Sequence, residues 1–354
     1  MKLTGATLGL VLFAGMLPAN ASNAVASHAI MDFVRPAYAA FHATTGSLRE
    51  DMAALCNTPG EPSRSSAQAG FIKTVEAWAR VENIRFGPVT EHNRHDRILF
   101  WPDRRSIGLK QVQAALAEED ETAAEPGSLA GKSVAMQGLG ALEFVLFGTG
   151  SNELTAKGNG YRCRYGLAIA SNLDAMAGEI EAEWRAPNGI ASLWVNPGSE
   201  NPLYRDDTEA VTEVFNVFVH GLEMIRDVRF NGFLGDTAEE DKPKLAIFWR
   251  SGATVASIRA DLAGLADLYA ATTLSASLSE DQKWIADSIR FEFANADGAL
   301  RTVEEPIDSV LKDPAKRKKL DYARLVTSSL SDLFGDRLAG ALGLTAGFSS
   351  LDGD

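Results

Sequence analysis

The chain has 354 residues, 45% of them hydrophobic, with 34 Lys and Arg against 47 Asp and Glu for a formal net charge of -13. That length supports one large domain or two ordinary ones with a sizeable core. The acidic balance makes nucleic acid and anionic lipid poor partners and suits cations or cationic ligands better.

Residues 1–21 read as a secretory leader: Lys2, an apolar stretch from Leu8 to Leu17, Pro18, then Ala19-Asn20-Ala21 with cleavage expected after Ala21. No cysteine follows closely, and nowhere else is there an uncharged run of about 18 residues, so no membrane span is expected after the leader is removed. The expected product is a soluble periplasmic protein. Strand signals are nearly absent beyond this point, and helical apolar spacing dominates, bounded by Gly, Pro, Asn and Asp. Helices are expected at about 25–55, 64–86, 128–148, 160–186, 204–234, 251–275, 280–302 and 315–341.

The predicted fold class is all-α. Long helices joined by short loops favour antiparallel neighbours, and the eight fall into two sets of four. An N-terminal helical bundle over 22–187 and a C-terminal one over 188–354 are expected, with "APNGIASLWVNPGSENPLY", rich in Pro, Gly and Asn, connecting them. In the first bundle the end of helix one and the start of helix four share an end, which brings Cys56 toward Cys163. A disulfide between them is favoured over two free thiols in an oxidising compartment. Gly87 to Pro126 is a long excursion with one short helix, "SIGLKQVQAALAEED", and an acidic, mobile tip around Glu118 to Glu125. Excursions of that length in a compact domain are often functional.

"GLGALEFVLFG", residues 138–148, is a helix hydrophobic almost all round with one carboxylate, Glu143, inside it. A desolvated carboxylate is expensive unless paired, hydrogen-bonded or bound to a cation. Gly140 and Glu143 share a face, and Gly138, Gly140 and Ala141 leave a shallow patch that admits another helix or a ligand. Glu143 is therefore either capped by a neighbouring Arg or Trp donor, or part of a binding site.

"FNVFVHGLEMIRD" sets His220 and Glu223 at i, i+3, a spacing that can put imidazole and carboxylate on one metal. Glu213, Asn216, His220, Glu223 and Asp227 also step by three and four, the pattern of a solvated stripe. "EHNRHD" offers Glu91, His92, His95 and Asp96, better explained as a polar loop. Nothing matches a zinc-protease helix, a nucleophile elbow or a phosphate loop; "GKS" at 131–133 has Pro126 where the first glycine belongs. Two aromatic and basic clusters remain. "VEAWARVENIRFGP" carries Trp78, Arg80 and Arg85, "LFWPDRR" carries Trp101 and Asp103, and "AIFWRSG" carries Trp249, Arg250 and Ser251, a candidate N-cap. Structural anchoring explains each; Arg80, Arg85 and Arg250 are also the candidates to neutralise Glu143.

The chain resembles the imelysin family of exported bacterial proteins, through "FVRPAYAAF", "WARVENIRFGP", "FWPD", "GLGALEFVLFG", "FWRSGATVASIRADLAGLADLY" and the closing "GLTAGFSSLDGD". The resemblance implies a pair of four-helix bundles with a cleft between them near the family's Gly-x-His-x-x-Glu motif. Gly138, Gly140 and Glu143 fall on that motif, so the histidine position is Gly140, which has no side chain to ligate with. The implied metallopeptidase chemistry then loses a principal ligand. The expected role is a non-enzymatic periplasmic binding component linked to iron or haem uptake, with an envelope iron-uptake partner. Its cleft would hold a metal ion, iron or another divalent metal, or a small ligand, against Gly138, Gly140, Glu143 and the Trp and Arg residues above. Two other readings stand beside it: a metallopeptidase with a rebuilt site of His220, Glu223 and Glu143, and a partner-binding scaffold.

Overall fold

A computed structural model describes residues 19–344. Residues 1–18 of the expected leader lie outside the described residues. Among those described there is no strand, and no helix is long and apolar enough to cross a membrane.

Ten helices carry the fold. The first, α1 (Ala19–His28), passes through a wide turn (Ala29–Val34) straight into α2 (Arg35–Asn57), followed by α3 (Glu61–Ala79) and α4 (Ile107–Glu118). Then come α5 (Leu139–Phe147), α6 (Tyr161–Arg185), α7 (Asp207–Glu223), α8 (Thr254–Thr272), α9 (Lys283–Leu300) and α10 (Pro314–Asp332). Helix α2 buries Tyr38, Phe41, Thr45, Leu48, Met52 and Leu55, steps of three and four that put one stripe against its neighbours. Side-chain caps mark two helix starts: Asp206 accepts from the Glu209 amide ahead of α7, and Asp313 from the Ala315 and Lys316 amides ahead of α10.

Packing sorts the helices into two groups. Helix α2 lies between α3 and α6, with α5 against both of the latter, while α7 packs on α10 and α9 on α8 and α10. Two features tie the groups together: α1 lies on α7 and α8, and α8 packs against α3, within one continuous hydrophobic core. Where α8 meets the end of α3 the backbones touch. A Cβ at Gly264 would lie 2.2 Å from the Arg80 carbonyl oxygen. Adding a methyl to a helical glycine ordinarily stabilises by about 0.5–1 kcal/mol. Here Gly264→Ala should instead cost about 1–3 kcal/mol through overpacking, read as a lower urea midpoint at unchanged slope. An unchanged or raised midpoint would show that the contact yields.

Cys56, at the end of α2, and Cys163, at the start of α6, are bonded, with Cα atoms 5.5 Å apart. The junction is reinforced by the Asn159 amide donating to the Cys56 carbonyl at 2.9 Å.

The expected helix over 128–148 is broken. A short helix (Pro126–Leu129) and a tight turn (Val134–Met136) precede α5, which starts only after Gly138. The cause is tertiary: a Cβ at Gly138 would sit 2.3 Å from the Ile98 carbonyl oxygen, so another strand of backbone crosses where the helix would have continued. The excursion is also more ordered than expected. It contains a turn (Gly87–Asn93), a short helix (Arg94–Ile98) and α4. Buried Arg94 clamps it to α6 through Glu179 at 2.9 Å and Glu183 at 2.7 Å. Its acidic tip is tied down by Lys132 on Asp120 at 2.7 Å and by the Tyr161 hydroxyl on the Asp120 carbonyl. Of the "EHNRHD" histidines, His95 packs on Trp78 with ring centroids 5.4 Å apart and hydrogen-bonds the Glu82 carbonyl at 3.1 Å.

Behind this junction lies a buried ionic cluster. Glu82, Arg229 and Asp261 are 3%, 3% and 0% exposed, and Arg229 is paired with Glu82. No nitrogen lies within hydrogen-bond distance of either Asp261 oxygen, the Arg229 Nε standing 3.9 Å from Oδ2, and the Glu82 carboxyl lies beside it. An ionised Asp261 would thus bury a second, unsatisfied negative charge, whereas a protonated one donates to Glu82. Burial and the Glu82 charge accordingly push the Asp261 carboxyl well above its ordinary range. Burial also works against the Glu82 charge, but Arg229 and the Asp261 proton outweigh it and hold that carboxyl low.

Candidate functional site

Helix α5 is buried on nearly every side through Leu139, Ala141, Leu142, Glu143, Phe144, Val145 and Leu146. Glu143, 5% exposed, resolves its cost with hydrogen bonds rather than a close counter-ion. Its Oε1 accepts from the Ser251 amide at 3.0 Å and lies 2.9 Å from the Ser251 hydroxyl; the Arg250 guanidinium stands 4.0 Å from Oε2. Burial pushes its carboxyl above the usual range, and Ser251 and then Arg250 pull it back.

The donor loop is wound tightly. Phe248 takes the left-handed conformation at φ +51° and Gly252 at +75°, and the Ala253 amide closes the turn on the Phe248 carbonyl at 3.1 Å. A phenylalanine there is conformationally costly, and the turn it makes aims the Ser251 amide at Glu143. Ser251 is therefore not the N-cap the sequence suggested: α8 begins at Thr254 behind Ala253, with no side-chain cap. Glu143 acts as the anchor of the loop that presents Trp249 and Arg250.

Glu143 and Gly140 line a cleft of about 680 Å³, a size that suits a small organic ligand. Its walls come from Leu99 to Arg104, from α4 and α5, from Asp227, Val228, Asn231 and Gly232 after α7, and from Lys244 to Arg250. At Gly140 an added Cβ would meet nothing within 4 Å, so the position of the missing histidine opens into the cleft. Trp101 and Asp103 line the cleft, and the Asp103 carboxylate is engaged with the start of α4, accepting from the Ile107 amide at 2.8 Å and the Leu109 amide at 3.1 Å.

Several sequence expectations fail here. Trp78 is fully buried against Phe41 and His95, away from the cleft. Arg80 and Arg85 do not reach Glu143: Arg80 pairs with Asp267 on α8, Arg85 follows the end of α3, and neither lines the cleft. Gly138 is a packing glycine. His220 and Glu223 lie on α7 outside the lining, and no group of three or more His, Cys, Asp or Glu side chains among the described residues is placed to hold a metal ion. The rebuilt metal set of His220, Glu223 and Glu143 is therefore not assembled: Glu143 lines the cleft, and of the polar positions stepping from Glu213 to Asp227 along α7 and its continuation only Asp227 does. Phe100, Arg104, Phe144 and Lys244 were missed; exposed loop cations and single aromatics carry no periodic signal.

The fold and cleft define an all-helical protein with a ligand-sized recess at the meeting of two helix groups. The chain belongs to the imelysin family, whose family model matches residues 34–332. It is 22% identical over 310 residues to iron-regulated protein A of Synechococcus elongatus, covering 84% of this chain and 81% of that protein. Its fold matches an imelysin-like protein from Psychrobacter arcticum 273-4 with TM-score 0.76 at 21% identity, covering 94% of this chain and 98% of the other. It also matches an iron-regulated protein A precursor from Parabacteroides distasonis with TM-score 0.75 at 11% identity, covering 92% and 96%.

Proposed function

We propose that this chain is an exported, non-enzymatic binding component of iron acquisition that works in the periplasm and holds its ligand in the cleft over α5. The observation that carries this reading is the use made of Glu143. The carboxylate is bound to the Ser251 amide and hydroxyl, its helical neighbour toward the cleft is the side-chain-free Gly140, and no metal-holding group stands around it. The residues present do not fit the catalytic metal centre that a peptidase of this family would need, since three protein ligands are required and no three His, Cys, Asp or Glu side chains among the described residues stand together to supply them. A loop carrying Trp249 and Arg250 on a buried hydrogen-bonded anchor is instead a preorganised wall for recognition. The iron link draws on the names of the similar proteins.

Calorimetry of the full chain with ferric, ferrous, copper and zinc ions and with haem tests the reading. Binding at micromolar or tighter affinity is expected for an iron-containing species. Glu143→Ala should weaken it about tenfold by freeing the Ser251 loop, a loss of a charge-assisted hydrogen bond. Glu143→Gln, which still accepts from that amide, should bind within about threefold of the wild type. Silence across the panel, or equal affinity in Glu143→Ala, would refute it.

A further inference from the structure

Resting on the reading of the cleft as a ligand site, we infer that its ligand is a flat, conjugated anion rather than a bare cation. The acidic surface alone argues the reverse, but the cleft departs from it. Three cations line it: Arg104, Lys244 and Arg250. Among the described residues neither Arg104 nor Lys244 has a carboxylate within ion-pair distance, and the nearest to Arg250 is Glu143 at 4.0 Å, too long for a hydrogen bond.

The three lining carboxylates are all engaged. Asp103 accepts from the α4 amides, Glu143 is bound to Ser251, and Asp227 is held by both ends of the Arg226 guanidinium at 2.8 and 2.6 Å. Positive donors are thus open to the cleft while the negative acceptors are occupied.

Two of the three cations, Arg250 and Lys244, are also mounted on aromatic surface. Arg250 lies over Trp249 at 4.5 Å and over Phe144 at 5.5 Å from the ring centroids, and Lys244 lies over Trp249 at 5.8 Å. Such stacking holds a guanidinium flat without consuming its in-plane donors. Phe100, Trp101 and Leu245 extend the apolar wall, and Phe100 and Leu245 are 39% and 51% exposed. Apolar planes flanked by unpaired guanidinium and ammonium groups complement a planar body that carries carboxylate, phenolate or sulfonate groups. For an iron-linked protein this selects a chelated, anionic form of the metal over the free ion.

The test uses iron-free probes of opposite charge on one ring system: 2-naphthalenesulfonate and 2-naphthyltrimethylammonium, titrated into the full chain by calorimetry, with citrate as a non-aromatic anion. The sulfonate should bind at least about tenfold more tightly than either comparison. Arg250→Gln and Lys244→Gln should each weaken it about five- to tenfold, with unchanged far-ultraviolet circular dichroism, and Arg104→Gln, on the outer rim, by less. Equal binding of the two naphthalenes, preference for the ammonium, no binding of either, or an unaltered Arg250→Gln/Lys244→Gln double variant would overturn the inference. Because no probe contains iron, sulfonate binding together with silence in the iron panel would refute the iron role and leave the ligand class standing. Tight binding of free metal without sulfonate binding would do the opposite.

Discussion

Arg229→Met should destabilise the fold by about 3–5 kcal/mol, because it leaves Glu82 buried with its charge uncompensated. Both partners are 3% exposed, so water cannot replace the lost guanidinium. Asp261→Asn should cost far less, since an amide copies the neutral acid that donates to Glu82. The pH dependence separates the two carboxyls by sign. Asp261, raised in the native state, binds its proton more tightly when folded, so its contribution is complete below the unfolded carboxylate pKa and is lost as pH rises through the raised value. Glu82, lowered in the native state, contributes above its unfolded pKa and loses that contribution as pH falls through the lowered value. Urea midpoints followed upward in pH should therefore show a decline in the wild type above the ordinary carboxylate range that Asp261→Asn flattens. A parallel profile in Asp261→Asn would mean that the two acids do not share a proton.

The second large effect belongs to the disulfide. Its cysteines stand 107 residues apart in sequence, and a closed loop of that length is worth up to about 4–5 kcal/mol through the unfolded chain. Cys56→Ser with Cys163→Ser should lower stability by about that amount. Reduction of the wild type should bring its midpoint down to that of the double variant. Equal midpoints for oxidised and reduced wild type would remove the bridge from the stability account.

Much of this was legible in the sequence, for identifiable reasons. Apolar residues at steps of three and four along α2 declare a helix wherever it packs, and one carboxylate inside "GALEFVLF" declares that a partner must exist. The pairing of Cys56 with Cys163 was favoured by helix direction together with the oxidising compartment that a leader implies, with free thiols left open, and the two are bonded. What the sequence concealed was set by contacts between distant segments. The break before α5 depends on the Ile98 carbonyl crossing at Gly138. Three arginines were plausible partners for Glu143, and only the turn from Phe248 to Gly252 places Arg250 nearest while giving the closer bonds to Ser251. The same turn took Ser251 away from the cap position. His220 and Glu223 had spacing compatible with a metal, but spacing fixes neighbours on one helix and says nothing of which other helix they meet.

The uninterrupted passage from α1 into α2 has a mechanical consequence. One rod is splinted to α7 and α8 at its beginning and to α3 and α6 along the rest, so the two halves share a beam and have no free hinge across it. A chain built in this way has no clamshell closure open to it. Adjustment on binding falls to the rim segments around Phe100 to Arg104 and Lys244 to Arg250, and small-angle scattering profiles with and without ligand should superimpose.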